Sequence, residues 1–516
     1  MQKIVFFTWL ALAFQCVAAQ SSFEWIRTPA IDLSSNGNLV GYSVACDAVG
    51  NVCYAGYESD GIAYGSDIFG TVFIKKYDVQ GNLLFSTNIT GQAAIRNMVC
   101  DGQGNLLLAI GFRQSMTIDG QAFSTSNQGV EPMLVKLGAD GTLLWQMIPT
   151  IGESVIEHFN AIAVDASGNV YIGYGNYDDS YLVKLSPSGT HQMTLLQHKV
   201  KMLTSISVDN LGNIYTAGSC AENTASFNGI SAPTDLTYNV YVSKYDGSGI
   251  FQWVNYVEDI TCPFPIVKAK SPDAIYFSSA LSDAFALGNL SSEGPISGAE
   301  DFFVSELDSE GIFQWIREVP GEGQAGPGNR NALELDENGN VYFTGSTRGA
   351  IAWSGSHLTE AMGFHADALV LKYNSQGEVL LAKTVLGASE NRFDAVAVNG
   401  QGEIFLSGFS YGSVSLDDIH HESEERFTFL TKLSGPGLGQ PSHQTSEIGL
   451  YPNPAKDYIQ VSGISSDNNA TFYNALGQKI KTATLSPDVK FPVGDLSQGV
   501  YLLKAEGMPT KRFIKL

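Results

Sequence analysis

The stretch DENGNVYFTGS, residues 336–346, decides the fold. Asp336, Asn338 and Asn340 stand at alternate positions, as at the start of a calcium loop. Val341 to Thr344 follow with β-branched and aromatic side chains, as in a strand. A calcium loop requires Gly at its sixth position and a bidentate acid at its twelfth. Counted from Asp336, those positions hold Val341 and Thr347. The stretch therefore reads as a tight turn between two strands, with calcium the lesser alternative. The Asp accepts backbone N–H groups, and Gly takes the positive φ that other residues resist.

The pattern recurs at 44–57, 98–112, 161–175, 205–219 and 395–409, with a degenerate copy at 266–280. Its turn residues are Asp47 and Gly50, Asp101 and Gly104, Asp165 and Gly168, Asp209 and Gly212, Asp336 and Gly339, and Gly402. The spacing is roughly 59 residues, in the range of propellers and arrays. A second pattern alternates with the first, as in KKYDVQGNLLF (75–85), SKYDGSGIFQW (243–253) and LKYNSQGEVLL (371–381). It too reads strand, turn, strand. Each repeat thus offers four strands, the content of one propeller blade.

The last copy, at 426–437, lacks a closing strand. Phe23-Glu24-Trp25-Ile26 resembles the closing strand at 312–319 and is expected to complete that blade, leaving no open edge. The expectation is an all-β chain: a seven-bladed β-propeller over 20–437, closed by an N-terminal strand. These units resemble the secreted bacterial β-propeller repeats in which D-x-x-G-N-x-Y alternates with K-Y-D-x-x-G. The fifth copy departs most, with no Gly-Asn pair and Glu306 in place of the Lys.

Residues 1–19 read as a secretory signal: Lys3, an apolar run from Ile4 to Phe14, then Val17-Ala18-Ala19. Gln15 before Cys16 is a poor fit to lipoprotein processing. No later run is long and apolar enough to span a bilayer as a helix. The formal charge is −23, and the tail is slightly basic, so the negative charge lies in the body. Such a surface repels nucleic acid and anionic lipid and suits an extracellular protein. Cys46, Cys53, Cys100, Cys220 and Cys262 remain after the leader, an odd number. Cys220 and Cys262 flank consecutive inner hairpins on one face of the expected ring and form the candidate disulfide.

After a Pro/Gly/Ser-rich linker, 438–448, the composition changes. Residues 449–516 alternate apolar residues with Gly and Asn turns, as in a small β-sandwich of Ig-like type. This unit resembles the C-terminal sorting domain of type IX secretion in Bacteroidetes. The matching residues are Pro452, Asn453, Pro454, Gly477, Gly499, Tyr501, Lys511, Arg512 and Lys515. The resemblance implies delivery across the outer membrane to the cell surface, with the secretion machinery as a partner.

Catalytic motifs are weak. GFSYG (408–412) matches G-x-S-x-G, but Ser410 lacks the following helix of a nucleophile elbow. His420 and His421 lie among acids and read as a solvated loop, with a divalent-metal patch the lesser alternative. Trp145, Trp253 and Trp315 recur at one position and read as packing between blades, with a sugar platform the lesser alternative. No catalytic, cofactor or metal residues are assigned. The connections 57–70, 112–131, 219–239, 280–301, 346–366 and 409–426 vary in length and would form the recognition face. The expected role is that of a monomeric binding or adhesion module for an extracellular glycan or protein. The alternative is a propeller hydrolase or lyase acting on extracellular polymer.

Overall fold

A computed structural model describes residues 21–28, 43–57, 62–64, 67–125, 129–151, 156, 158–176, 178–221, 225–231, 238–258, 265–295, 301–360, 365–434, 449–451, 453–462, 468–474, 478–486, 489–505 and 511–516. The expected leader (1–19), linker (438–448), Cys262, Pro452 and Gly477 lie outside them. The described residues form strands and turns, with no helix. The chain divides into two compact units, one spanning Gln20–Pro436 and another containing Gly437–Leu516.

In the first unit the third repeat gives the plan. Strands His158–Val164, Val170–Gly175, Ser180–Leu185 and His191–Gln197 form an antiparallel meander in chain order. The second strand is buried at every position, whereas the fourth alternates between exposed and covered residues. A strand with a sheet on each face must be apolar throughout; an outer strand needs only one apolar face. The same meander recurs at Met202–Val208 to Phe251–Glu258 and at Ile266–Ser271 to Phe313–Glu318.

The first two repeats share one sheet, because the strand Leu83–Cys100 closes one and opens the next. In the sixth repeat the first strand is split into Gln324–Pro327 and Leu333–Leu335, both paired with Val341–Arg348. The last repeat takes its fourth strand from the N-terminus. Phe23–Arg27 pairs antiparallel with Arg426–Leu433, placing Phe23 opposite Leu433 and Trp25 opposite Lys432. The Thr431 hydroxyl donates to the Trp25 carbonyl at 2.7 Å.

The first strands of successive repeats follow a closed circuit. Ser43–Cys46 neighbours Leu83–Cys100, and the series continues through His158–Val164, Met202–Val208, Ile266–Ser271 and Leu333–Leu335 to Asn391–Val398, which returns to Ser43–Cys46. Aromatic layers fill the space between adjacent sheets. Phe302 of the fifth repeat stacks on Phe343 of the sixth with centroids 3.9 Å apart. This is the radial arrangement of a β-propeller.

The second unit holds two small sheets. One orders Gly449–Tyr451, Tyr458–Ser462 and Phe491–Pro492; the other orders Lys479–Leu485, Asn468–Asn474, Gly499–Ala505 and Lys511–Lys515. Ile459, Phe472, Tyr501, Leu503 and Phe513 make their shared core. Tyr501 pairs with Phe513 across the strands and stacks on it at 5.5 Å.

Candidate functional site

The repeat turns set the ends of the circuit. In the five that carry Asp, one oxygen of the Asp accepts two backbone N–H groups and the other accepts the Asn side chain. At Asp336 these donors are Asn338 N, Asn340 N and Asn340 Nδ2, at 2.9, 2.9 and 2.7 Å. Asp47, Asp101, Asp165 and Asp209 repeat the arrangement. Gly50, Gly104, Gly168, Gly212, Gly339 and Gly402 all have φ between +77° and +96°. A cation at such a turn would have to displace these N–H donors, all of which present positive charge to the carboxylate.

A buried lysine completes several turns. Lys76 lies 2.8 Å from Asp47, Lys136 2.8 Å from Asp101, and Lys372 3.4 Å from Asp336. Burial opposes ionisation of Asp47, but hydrogen bonds from Lys76 and Asn51 outweigh it and hold the pKa below the usual carboxylate range. Asp101 is lowered against burial by Lys136 and Asn105, and Asp336 by Asn340 and Lys372. In the third, fourth and sixth repeats Tyr171, Tyr215 and Tyr342 also donate to the Asp. The sequence shows this lysine as part of a repeat, yet its role as counter-ion appears only once the strands are paired.

The turn-side half of the circuit encloses a cavity of about 700 Å³. Its wall includes Cys46, Asn97, Cys100, Ser205, Ser207, Lys268, Lys270, Asn331, Glu334 and Glu337. These polar groups join one repeat to the next. Asn97 Nδ2 donates to the Asn160 carbonyl at 2.9 Å, and Ser205 Oγ to the Val267 carbonyl at 3.2 Å. Ala269 N donates to Ser207 Oγ at 2.9 Å. Lys268 meets Glu334 at 2.9 Å, and Asn331 Nδ2 donates to the Val396 carbonyl at 3.0 Å. The wall thus sets these braced polar and charged groups among apolar strand residues such as Val44, Val99, Ile162 and Leu335.

The longer connections carry secondary structure of their own. Several fold into small hairpins: Gln121–Ser124 on Leu106–Ile118, Ser226–Phe227 with Ile230–Ser231, Ala286–Leu287 with Leu290–Ser291, Ile351–Ser354 with His357–Thr359, and Val414–Leu416 with Ile419–His421. The apolar residue before each turn is buried: Ile118, Phe227, Leu287, Trp353 and Leu416. Asp119-Gly120 and Asn228-Gly229 have positive φ at both central positions. Asp-Gly and Asn-Gly between apolar residues are the strongest short-range hairpin signals, so these dipeptides could have revealed the insertions.

The remaining candidates have structural roles. Ser410 is buried in its strand and donates to the Gly412 carbonyl. His158 contacts Ser180 at 3.2 Å, but Ser180 donates to the Val200 carbonyl and His158 Nε2 accepts from Leu203 N. Burial lowers the His158 pKa to about 4, so the ring is a neutral clamp between repeats. Trp25, Trp145, Trp253 and Trp315 each donate to a turn carbonyl of the following repeat, at Val79, Pro187, Ser309 and Ser375. Cys220 is buried with its thiol toward the Asn239 carbonyl. Among the described residues no group of three His, Cys, Asp or Glu side chains is placed to hold a metal. In the tail, Asn453 Oδ1 accepts from Ile514 N, Gly499 and Tyr501 lie in one strand, and Lys511, Arg512 and Lys515 lie in the strand beside it.

Residues 449–516 match the family of secretion system C-terminal sorting domains. No curated protein matches the chain. Among solved structures, a streptogramin B lyase is similar at 10% identity over 79% of this chain and 97% of its own, with a TM-score of 0.42. The Pan2 WD40 domain of Neurospora crassa matches at 7% identity over 80% and 96%, with a TM-score of 0.41. PorZ, a surface component of the type IX secretion system of Porphyromonas gingivalis, matches at 10% identity over 92% and 70%, with a TM-score of 0.27. Such distant likenesses bear on neither activity nor ligand. The sorting domain marks the chain for export through type IX secretion to the cell surface or extracellular space.

Proposed function

We propose that the exported chain is a seven-bladed β-propeller that binds an extracellular glycan or protein, carried out by an Ig-like sandwich at its C-terminus. The closed circuit of first strands and the N-terminal closing strand support the blade count. The observation that carries the binding role is the braced, polar cavity of about 700 Å³. That volume falls in the range of small-ligand sites, about 300–1,000 Å³. Lys268 and Glu334 already neutralise each other across two repeats, which suits hydrogen bonding to a polar ligand better than proton transfer.

Full-length protein recovered from the cell surface or medium should bind a subset of an extracellular glycan and protein array without altering it. Asn331→Ala, which removes a polar group from the wall, should weaken that binding severalfold. Release of new polymer ends without stable binding would establish an enzyme instead. A chain ending before Tyr451 should remain inside the cell, and its normal delivery would overturn the role of the tail.

A further inference from the structure

We propose that Cys53 and Cys100 are joined as a disulfide that staples the first repeat to the second once the chain has left the cytoplasm. The pairing geometry brings these two residues together from different repeats. Cys53 is fully buried and lies cross-strand from both Ala45 and Lys76. Lys76 reaches over the repeat boundary to the Gly104 carbonyl, in the turn that begins immediately after Cys100. The face of the first repeat that carries Cys53 therefore lies against the end of the strand that carries Cys100. Cys100 packs against the buried cluster that contains Cys53, and both are free thiols in this structure.

A third thiol stands nearby, and the register separates its role. Cys46 pairs with Val52, one position from the Ala45–Cys53 pair. Adjacent pairs in a ladder project to opposite faces of the sheet, so Cys46 and Cys53 leave from opposite sides. Cys46 and Cys100 both line the central cavity. At the position of Cys53 the other repeats carry Tyr, Leu or Phe, and at the position of Cys100 they carry Val, Ala or Leu, except for Cys46 in the first repeat. The boundary between the first and second repeats alone has cysteine at both of the facing positions.

The oxidation requires a partner, a thiol oxidase bearing its own disulfide. The Cys53 thiol loses a proton, and its thiolate attacks the oxidase disulfide to give a mixed disulfide and one released thiolate. The Cys100 thiolate then attacks the Cys53 sulfur and expels the second. Two protons go to solvent or the departing thiolates, and two electrons reduce the oxidase disulfide. The reaction belongs to the folding chain, before the boundary closes. In the closed ring burial raises the pKa of Cys46, the neighbouring free thiol, well above the ordinary thiol value. Few Cys46 thiolates then remain to attack the bond.

Peptide mass mapping of the exported full chain, alkylated in denaturant without reductant, tests the bond. The expected result is a Cys53 peptide linked to a Cys100 peptide, lighter by two hydrogens, with Cys46 alkylated. Reductant should lower the thermal midpoint of the natural chain by several degrees. It should not do so in a C53S/C100S chain, which should already melt at the lower temperature. Alkylation of both Cys53 and Cys100, or a link from Cys100 to Cys46, would overturn the assignment. Should the double variant fail to accumulate, the mass map of the unsubstituted chain decides alone.

Discussion

The fifth and sixth repeats share one fold and reverse the charges at two of its positions. In the sixth, Asp336 stands in the turn and Lys372 on the third strand, 3.4 Å apart. In the fifth, Lys270 occupies the Asp position and Glu306 the Lys position. The tyrosine at the common site changes partner to suit. Tyr342 donates to Asp336 at 3.1 Å, whereas Tyr276 donates to Glu306 at 3.3 Å. The turn changes as well. The strand extends to Ser271, and only Pro272 and Asp273 separate it from the next strand. A lysine cannot accept the two turn N–H bonds that Asp336 accepts, so the longer turn has no place here. Lys270 extends instead to the Asp336 carbonyl of the next repeat, at 3.1 Å. The comparison separates two duties of the conserved-looking Asp: acceptor for its own turn, and counter-ion for a lysine.

Reversing one charge in the sixth repeat should break both duties at once. Asp336→Lys would set a cation against Lys372 and strand the N–H groups of Asn338 and Asn340. The loss should be about 3–5 kcal/mol, the usual cost of breaking a buried pair from one side. Adding Lys372→Glu should recover only part of it, because the turn still lacks an acceptor. Replacing residues 337–340 with the SPDA of 271–274 as well should recover most of the remainder. Urea denaturation of the three chains measures the series. Full recovery by the charge swap alone would show that the turn length is irrelevant.

A milder change separates the duties. The seventh repeat has Asn399 at the Asp position, and its carbonyl accepts Gln401 N and Glu403 N at 3.0 Å each. The acid has moved four residues on, to Glu403, and Lys432 pairs with it there. Asp336→Asn should therefore keep the turn and lose the counter-ion, costing about 1–3 kcal/mol. Asn340→Glu in the same chain should return most of that loss. If Asp336→Asn is as damaging as Asp336→Lys, the turn and not the lysine depends on the charge.

These exchanges explain what the sequence made legible. The D-x-x-G-N turns were readable because Gly at positive φ and an Asx acceptor are local requirements. The partnership of Phe23–Arg27 with Arg426–Leu433 was readable because a closing strand was missing at one end and spare at the other. The buried Asp–Lys pair was not, since its partners lie 29 to 36 residues apart and meet only through strand register. The cavity was hidden for a similar reason: each repeat supplies only a few wall residues, and their links run to neighbouring repeats. The hairpins at Asp119-Gly120 and Asn228-Gly229 were visible in principle, but variable flanking lengths obscured their recurrence.

The smallest effect is the most discriminating. Glu306 is half-buried, and burial raises its pKa although Trp315 and Tyr276 beside it, the latter donating to its carboxylate, oppose the rise. An acid whose folded pKa is raised costs stability while ionised. That cost is present at neutral pH and is relieved as pH falls through the raised value toward the unfolded value of 4.5. Glu306→Gln removes the ionisation and keeps an acceptor for Tyr276. The variant should match or exceed the natural chain at pH 7, by less than about 1 kcal/mol, and the difference should shrink toward pH 4.5. Thermal midpoints of the two chains between pH 7 and 4.5 measure this. The opposite sign at pH 7 would mean that Glu306 is held by a cation, with Lys270 the nearest candidate in the repeat pattern. The fifth repeat would then be a true mirror of the sixth rather than a rearrangement that sends its two charges to separate partners.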